Sequence, residues 1–204
     1  MIKKIINEIA RIATLFIYPE EKREIKKTFI VRKLRTLIYG RQVLKVAQEI
    51  GEDFACNNYS TVNSKTFIKN HVNFNGMRVQ GGGKVIFGNN FHSGEECLII
   101  TSNHNYEGDL ITYDSKYISK DVIIGDCVWL GSRVTILPGT EIGNGVIVQA
   151  GAVVKGKIPP CAIIGGNPAK VFKYRNIENF EKLYKEGKFR TTITCIQHKF
   201  APKK

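Results

Sequence analysis

The chain has 204 residues, 43% of them hydrophobic, which is enough for one hydrophobic core and too few for two. Its five cysteines are odd in number and include no Cys-x-x-Cys pair, which excludes a disulfide framework and a zinc knuckle and fits a reducing compartment. The net charge of +13 is concentrated at the two ends: residues 1–50 carry 12 basic and 5 acidic side chains, and residues 169–204 carry 10 and 3.

Neither a membrane span nor a secretion signal is predicted. No segment approaches about 18 uncharged apolar residues, and the apolar run at 13–18 lacks the small-residue cleavage site of a signal peptide. Nucleic acid is disfavoured as a partner because no nucleic-acid-binding motif occurs and aromatic residues do not alternate with the basic ones. We therefore expect a cytoplasmic protein.

The first 53 residues have helical periodicity and form a predicted helical cap. The spacing that predicts an amphipathic helix is carried by Ile2, Ile5, Ile6, Ile9, Ile12 and Phe16, with polar residues between them. This helix is expected to end near Pro19, and a second helical segment to run from about Glu21 to Glu49 with an interruption at Gly40. The cap would cover the open end of the domain that follows.

Residues 54–175 change to a strand pattern with a period of six. Aliphatic residues recur at Ile124, Leu130, Ile136, Ile142, Val148 and Val154. Four positions after each come the small or β-branched residues Val128, Val134, Thr140, Val146, Ala152 and Ile158. A six-residue period fits short strands joined by regular corners, so we predict a parallel β-solenoid with both rows pointing inward.

The period is broken once, by the polar segment 105–120, which we predict to be a protruding functional loop. After the solenoid, residues 176–204 are predicted to form a short helix from Ile177 to about Gly187 and then a loosely held basic tail.

Two motifs identify a family resemblance: I-G-D-C-V-W-L-G-S-R-V-T-I-L-P-G-T-E-I-G from residue 124, and I-P-P-C-A-I-I-G-G-N-P-A-K-V-F from residue 158. They resemble the hexapeptide-repeat acyltransferases over about residues 60–175. The resemblance implies a left-handed parallel β-helix that assembles as a homotrimer with active sites between subunits. It also implies acetyl-CoA as donor, no metal, and a sugar or polysaccharide hydroxyl as acceptor. The chain is most similar to the maltose, galactoside and capsular polysaccharide O-acetyltransferases, and also to the xenobiotic acetyltransferases.

A general base is needed because an alcohol is a poor nucleophile until its proton is removed. The four histidines are His71, His92, His104 and His198. His104 lies where the repeats give way to the loop, the place that the catalytic histidine has in the resembling enzymes, and we predict it as the base. The other three are interpreted as structural or solvated. Glu107, Asp109 and Asp114 are candidates to orient the His104 ring, and a backbone carbonyl would also serve.

The acceptor site is predicted from the loop and from the resemblance. Asn73 and Asn75 lie 31 and 29 residues before His104, in an N-F-N context like that of the acceptor-binding asparagine in the galactoside and maltose enzymes. Both could instead be asparagines at solenoid corners. The remaining predicted acceptor contacts are Tyr106, Glu107 and Asp109 in the loop and Trp129 on an outer face.

The predicted contacts to CoA are Trp129, Gly131, Ser132, Ala150, Gly151, Lys155, Lys170 and Arg175. By the resemblance, Trp129 lines the cleft between subunits. The small residues would let the pantetheine arm lie against the backbone, and the basic ones would meet the phosphates.

Three roles remain open for the basic ends: attraction of CoA phosphates, peripheral contact of the N-terminal helix with anionic lipid, and plain solvation. The alternatives to O-acetylation are N-acetylation of an amino sugar or antibiotic, a zinc-dependent γ-type carbonic anhydrase, and a scaffold without activity. The carbonic anhydrase is disfavoured because the spacings of 21 and 12 among His71, His92 and His104 lack a close histidine pair.

Overall fold

The N-terminal cap contains three helices in the computed structural model, which describes the backbone of residues 2–17 and 20–190 and the side chains of residues 2–13 and 28–190. The helices are α1 (Ile2–Ile17), α2 (Glu20–Tyr39) and α3 (Arg41–Val46). α1 packs on α2 and buries Ile6 and Ala10. The predicted end of the first helix near Pro19 lies outside the described residues.

The second helical segment is shorter than predicted, because α2 and α3 end before Glu49, which belongs to the first strand. The interruption at Gly40 is present, and it has a packing cause. A Cβ atom on Gly40 would lie 2.7 Å from the Thr36 carbonyl oxygen and 2.9 Å from the Cys56 Cβ atom. Position 40 therefore has no room for a side chain where the chain packs against the solenoid. The Cys56 amide also donates to Thr36 Oγ1 over 3.0 Å, which ties the cap to the solenoid.

Strands begin at residue 49, before the predicted domain start at residue 54. They are β1 (Glu49–Ile50), β2 (Ala55–Asn58), β3 (Thr66–Ile68), β4 (Asn73–Gln80), β5 (Val85–Phe87), β6 (His92–Ile100), β7 (Ser102–His104), β8 (Tyr117–Ser119), β9 (Val122–Ile124), β10 (Trp129–Leu130), β11 (Thr135–Ile136), β12 (Glu141–Ile142), β13 (Ile147–Val148), β14 (Val153–Val154), β15 (Lys157–Ile158), β16 (Ala162–Gly166) and β17 (Ala169–Tyr174).

The strands stack into three parallel faces. The first face has the order β1-β3-β5-β9-β12-β15. The second face runs through β2, the first parts of β4 and β6, then β10, β13 and β16, and it aligns Asn73, His92, Trp129 and Ile147. The third face joins the later parts of β4 and β6 to β11 and β14. Only β7–β8 and β16–β17 are antiparallel among the named strand pairs, and the prediction of a mainly β solenoid is confirmed.

Both predicted rows point inward. The six aliphatic residues of the first row are at most 3% exposed, and those of the second row are at most 1% exposed except for Ile158, which is half-buried. The wider lower coils are filled by Phe54, Phe74, Phe87 and Phe91, whose ring centroids lie 4.8–6.0 Å apart. The core therefore runs along the solenoid axis and leaves the outer faces for binding.

After the last coil, β16 turns back into β17, and α4 (Ile177–Lys185) follows. α4 begins at Asn176, whose side chain accepts a hydrogen bond from the Asn179 amide over 2.8 Å. The predicted basic tail, with His198 and Cys195, lies mainly beyond residue 190 and outside the described residues. No described helix is long and apolar enough to cross a membrane.

The core predicts a difference between two isoleucines of the repeats. Ile136→Ala should lower the free energy of unfolding by about 2–5 kcal/mol, because Ile136 is fully buried and the substitution leaves a cavity. Ile123→Ala is the matched control: Ile123 is 43% exposed on the first face, and its loss should cost less than about 1 kcal/mol. Urea unfolding followed by circular dichroism measures both, and equal shifts would contradict the inward row.

Candidate active site

His104 is held at the base of the protruding loop by a two-stranded ladder. β7 pairs with β8, so that His104 lies opposite Tyr117. Beyond the ladder, the Asn105 amide donates to the Lys116 carbonyl over 3.1 Å and the Asp114 amide donates to the Asn105 carbonyl over 3.0 Å. The loop is thus an ordered extension of the solenoid corner, and the histidine lies where it joins the coil.

Two tyrosines pack against the His104 ring. Tyr113 stacks on it with ring centroids 3.9 Å apart, and Tyr117 lies at 4.4 Å in a tilted arrangement. His104 Nδ1 is buried and has no hydrogen-bond partner among the described residues. The ring orientation is therefore set by aromatic packing, and Nδ1 is not engaged by any described residue.

The structure assigns another role to one of the three acids considered as partners of His104. Asp114 is buried, and its carboxylate accepts hydrogen bonds from Asn105 Nδ2 at 2.8 Å and from the Lys116 amide at 2.7 Å. It stabilises the loop rather than the imidazole. Glu107 and Asp109 are exposed on the outer part of the loop.

The loop surface is apolar as well as acidic. Tyr106 is 71% exposed, Leu110 is 64% exposed, and Ile111 is fully exposed. Exposed apolar side chains grouped on a projecting loop are typical of an interaction site. The predicted acceptor residues Tyr106, Glu107 and Asp109 therefore lie on a surface that faces away from their own chain.

Asn73 and Asn75 belong to a network on the second face. Asn57 Nδ2 donates to Asn73 Oδ1 at 3.1 Å and to Asn75 Oδ1 at 2.9 Å, and Asn75 Nδ2 donates to the Ser93 carbonyl at 2.7 Å. Asn75 uses both ends of its amide within the coil, which favours the structural interpretation for it. Asn73 lies beside His92 in the strand register.

Trp129 borders a cavity of about 340 Å³ between the second face and α4. Its side chain is 54% exposed, as an outward position predicts. The cavity brings Trp129 together with Arg175, both predicted site residues, and adds His92, Asn90, Tyr184 and Phe189. His104 is not among the residues that line it.

His92, which the sequence interpretation took as structural or solvated, lines the cavity beside Trp129. The sequence contains a signal for this position. His92-Ser93-Gly94 and Trp129-Leu130-Gly131 each have an outward side chain, then an inward one, then a glycine, and the two segments are aligned in adjacent strands. Burial lowers the pKa of His92 from its usual 6.5, and the positive charges of Arg190 and Arg32 lower it further. Its imidazole is therefore neutral at neutral pH.

Two further titratable groups between this face and α4, Cys127 and Tyr184, are also neutral. Burial, with the Asp126 charge, raises the pKa of the Cys127 thiol to about 11. The hydrogen bond from Tyr184 to Asp126, 2.7 Å long, raises the pKa of Tyr184 to about 12, with burial adding to the shift. Cys127 is thus no nucleophile, and the net charge of the lining comes from basic side chains.

The small residues predicted to contact CoA lie together at one corner. The Gly151 amide donates to the Ser132 carbonyl over 2.9 Å. A Cβ atom on Gly131 would lie 2.5 Å from the Ala150 nitrogen, so Gly131 is required by coil stacking whether or not a ligand binds. Gly151 has positive φ and open space beside it. The corner therefore offers accessible backbone to a ligand.

The basic residues predicted to contact CoA are dispersed. Lys155 and Lys170 are exposed, at a corner of the upper coils and on β17, whereas Arg175 lines the cavity. The histidines considered as zinc ligands are dispersed too: His71 lies 3.3 Å from Asp53, His92 lines the cavity, and His104 lies at the loop.

Comparison with known proteins identifies the repeat region. Residues 121–156 match the family described as bacterial transferase hexapeptide (six repeats). The chain is 49% identical over 77 residues to a putative lipopolysaccharide biosynthesis O-acetyl transferase, WbbJ, of Escherichia coli K12, covering 38% of this chain and 37% of that protein. It is 33% identical over 118 residues to a galactoside O-acetyltransferase of Lactococcus lactis, covering 58% and 56%.

Solved structures agree with the fold. A galactoside acetyltransferase in complex with coenzyme A is similar with a TM-score of 0.55 and 21% identity, over 87% of this chain and 82% of that chain. Residues 121–156 match the bacterial transferase hexapeptide family, and the resemblance of the chain to the hexapeptide-repeat acyltransferases is confirmed. The chain spans about half or less of the length of these two curated relatives.

Proposed function

We propose that the protein is an acetyl-CoA-dependent O-acetyltransferase acting on a hydroxyl of a sugar or polysaccharide precursor. The observation that carries the proposal is the position of His104, at the one long break in the repeats, with an unengaged, buried ring nitrogen. The matches to proteins named as O-acetyltransferases support this reaction class.

The reaction needs one proton transfer and one acyl transfer. A ring nitrogen of His104 removes the acceptor hydroxyl proton while the oxygen attacks the thioester carbonyl carbon. The new C–O bond replaces the C–S bond, and CoA leaves as a thiolate that takes up a proton. Tyr113 and Tyr117 hold the imidazole plane during this step. The backbone beside Gly151 would receive the pantetheine arm of acetyl-CoA, since no side chain obstructs it there.

The active site is completed by a second copy of the chain in a homotrimer. Within one chain, His104 and the Trp129 cavity are separate, since His104 is absent from its lining. The exposed apolar loop residues Tyr106, Leu110 and Ile111 lack cover in a single chain and would be covered by a neighbouring copy. Such an arrangement brings the base of one copy to the Trp129 face of the next.

His104→Ala should lower kcat/KM for acetyl transfer to a hydroxyl by about 10²–10⁴-fold, because the general base is lost. The measurement is thiol release from acetyl-CoA in the presence of sugars, lipid-linked glycans and aminoglycosides. His71→Asn is the matched control, because His71 has positive φ, which asparagine tolerates, and lies away from the cavity and the loop.

Two outcomes would contradict the proposal. If no hydroxyl acceptor stimulates thiol release, the protein is not this O-acetyltransferase. If an amine acceptor is preferred and His104→Ala loses much less rate, N-acetylation is the function, since an amine needs less help from a base.

The protein is proposed to act in the cytoplasm at the inner face of an anionic membrane, with α1 as the contact. Ile2, Ile5, Ile9 and Ile12 are 47–51% exposed and share one side of α1, next to the side that packs on α2. Isolated apolar residues on a surface are ordinary, but a continuous stripe on a helix is typical of contact with a partner. Residues 1–50 contain 12 basic and 5 acidic residues, and this net positive charge complements an anionic lipid surface.

Ile5→Ser with Ile9→Ser should weaken binding to vesicles of phosphatidylcholine mixed with phosphatidylglycerol by at least about tenfold, because two apolar side chains no longer enter the lipid. Co-sedimentation measures the binding. The control pair is Ile123→Ser with Ile177→Ser, which are similarly exposed outside the cap. Unchanged binding by the α1 variant, or a change only in its oligomer size, would show that the stripe is not a lipid contact. Equal binding to pure phosphatidylcholine would contradict the preference for an anionic surface.

A further inference from the structure

The cavity between the second face and α4 has the walls of a ring-binding site. Trp129 forms one side, and Tyr184 and Phe189 come from α4 and the segment after it. Large aromatic surfaces with a few polar groups are typical of small-molecule sites. Asn90 and the neutral imidazole of His92 are the polar groups, and they can donate to or accept from hydroxyls.

The volume favours one ring over a larger ligand. At about 340 Å³ the cavity lies near the lower end of the range of about 300–1,000 Å³ for small-molecule sites. A monosaccharide fits this volume, whereas the nucleotide and pantetheine of CoA together exceed it.

The charge around the cavity has one sign. Arg175, Lys188 and Arg190 line it, and no carboxylate does so among the described residues. Lys188 is paired with Glu186 at 2.7 Å, and the nearest acid on the strand side, Asp126, accepts the Tyr184 hydroxyl. Because the described lining residues include three cations and no acid, the cavity favours an anionic ligand.

Arg175 is the side chain best placed to bind that anion. Its guanidinium lies 5.4 Å from the centre of the Phe180 ring, which fixes its plane. Its Nε atom is buried and has no hydrogen-bond partner among the described residues. A fixed guanidinium with an unused donor matches a carboxylate or phosphate group.

We infer that this cavity binds a monosaccharide unit that carries a carboxylate or a phosphate, with its ring on Trp129 and its anionic group at Arg175. The inference rests on the proposed function in one respect, that the bound sugar is the acetyl acceptor. His92 and Asn90 then select the ring through its hydroxyl groups.

The single tryptophan of the chain provides a direct test, because Trp129 is the only source of tryptophan fluorescence. Titration of the full chain with glucuronate and with glucose 1-phosphate, in the absence of acetyl-CoA, should give a saturable change in this fluorescence with at least one of them. Neutral glucose should bind about ten- to hundredfold more weakly, since it lacks a charged hydrogen bond to Arg175.

Arg175→Gln should weaken binding of the anionic sugar by a similar factor, so that it binds no more tightly than glucose. Arg175→Lys should recover part of the lost affinity. Lys173→Gln is the charge-matched control on exposed β17 and should leave the titration unchanged. A urea midpoint equal to that of the unmodified chain shows that a variant is folded.

Three results would overturn the inference: equal affinity for glucose, unchanged binding in a folded Arg175→Gln variant, or displacement of the bound sugar by CoA. The last would assign the cavity to the donor nucleotide. Failure of the proposed function is distinct, because sugar binding would then persist in these titrations while no acceptor releases thiol from acetyl-CoA.

Discussion

Close stacking of successive coils is the constraint on which the rest of this structure depends. Each six-residue repeat must bury two side chains along the axis, and its backbone groups must form hydrogen bonds with the next coil. The corners are tight, as the 2.5 Å from a Cβ on Gly131 to the Ala150 nitrogen shows. A coil cannot absorb extra residues internally, so an insertion must leave at a corner, as residues 105–120 do after Thr101.

That constraint divides the chemistry between two places. The corner insertion carries His104 and holds it through the β7–β8 ladder and two tyrosine rings. The rigid second face carries Trp129 and His92 at a spacing set by strand pairing. Neither place contains a complete site for acetyl transfer to a sugar. In the proposed function the loop supplies the base with its exposed apolar neighbours, the face supplies a cationic, aromatic cavity, and a site made from two copies uses both.

The period of six was sufficient to predict the inward rows and the outward position of Trp129, because side-chain parity along short strands is a local property. It also located the loop and His104. The same logic fails between residues 73 and 121, where β4 and β6 are long and contribute to both the second and the third face. With the inserted loop between them, His92 lies 37 residues before its strand partner Trp129, which is not a multiple of six and hides the match.

Other features depend on contacts distant in sequence. The hydrogen bonds of Asn75 depend on Asn57 and Ser93, and the close contact at Gly40 depends on Cys56. The cavity exists because Tyr184 reaches Asp126, 58 residues earlier. No spacing rule predicts these contacts, since each follows from which coil or helix comes to lie beside which.

The most direct test of the two-copy site is to mix chains carrying His104→Ala with chains carrying Trp129→Ala, using two affinity tags to purify mixed assemblies. Each variant alone should be nearly inactive in acetyl transfer. A cyclic trimer of mixed composition has one interface with both intact side chains, so the mixed assemblies should regain about one third of the activity of the unmodified protein. Mixed assemblies as inactive as the single variants would contradict a site built from His104 of one copy and Trp129 of the next.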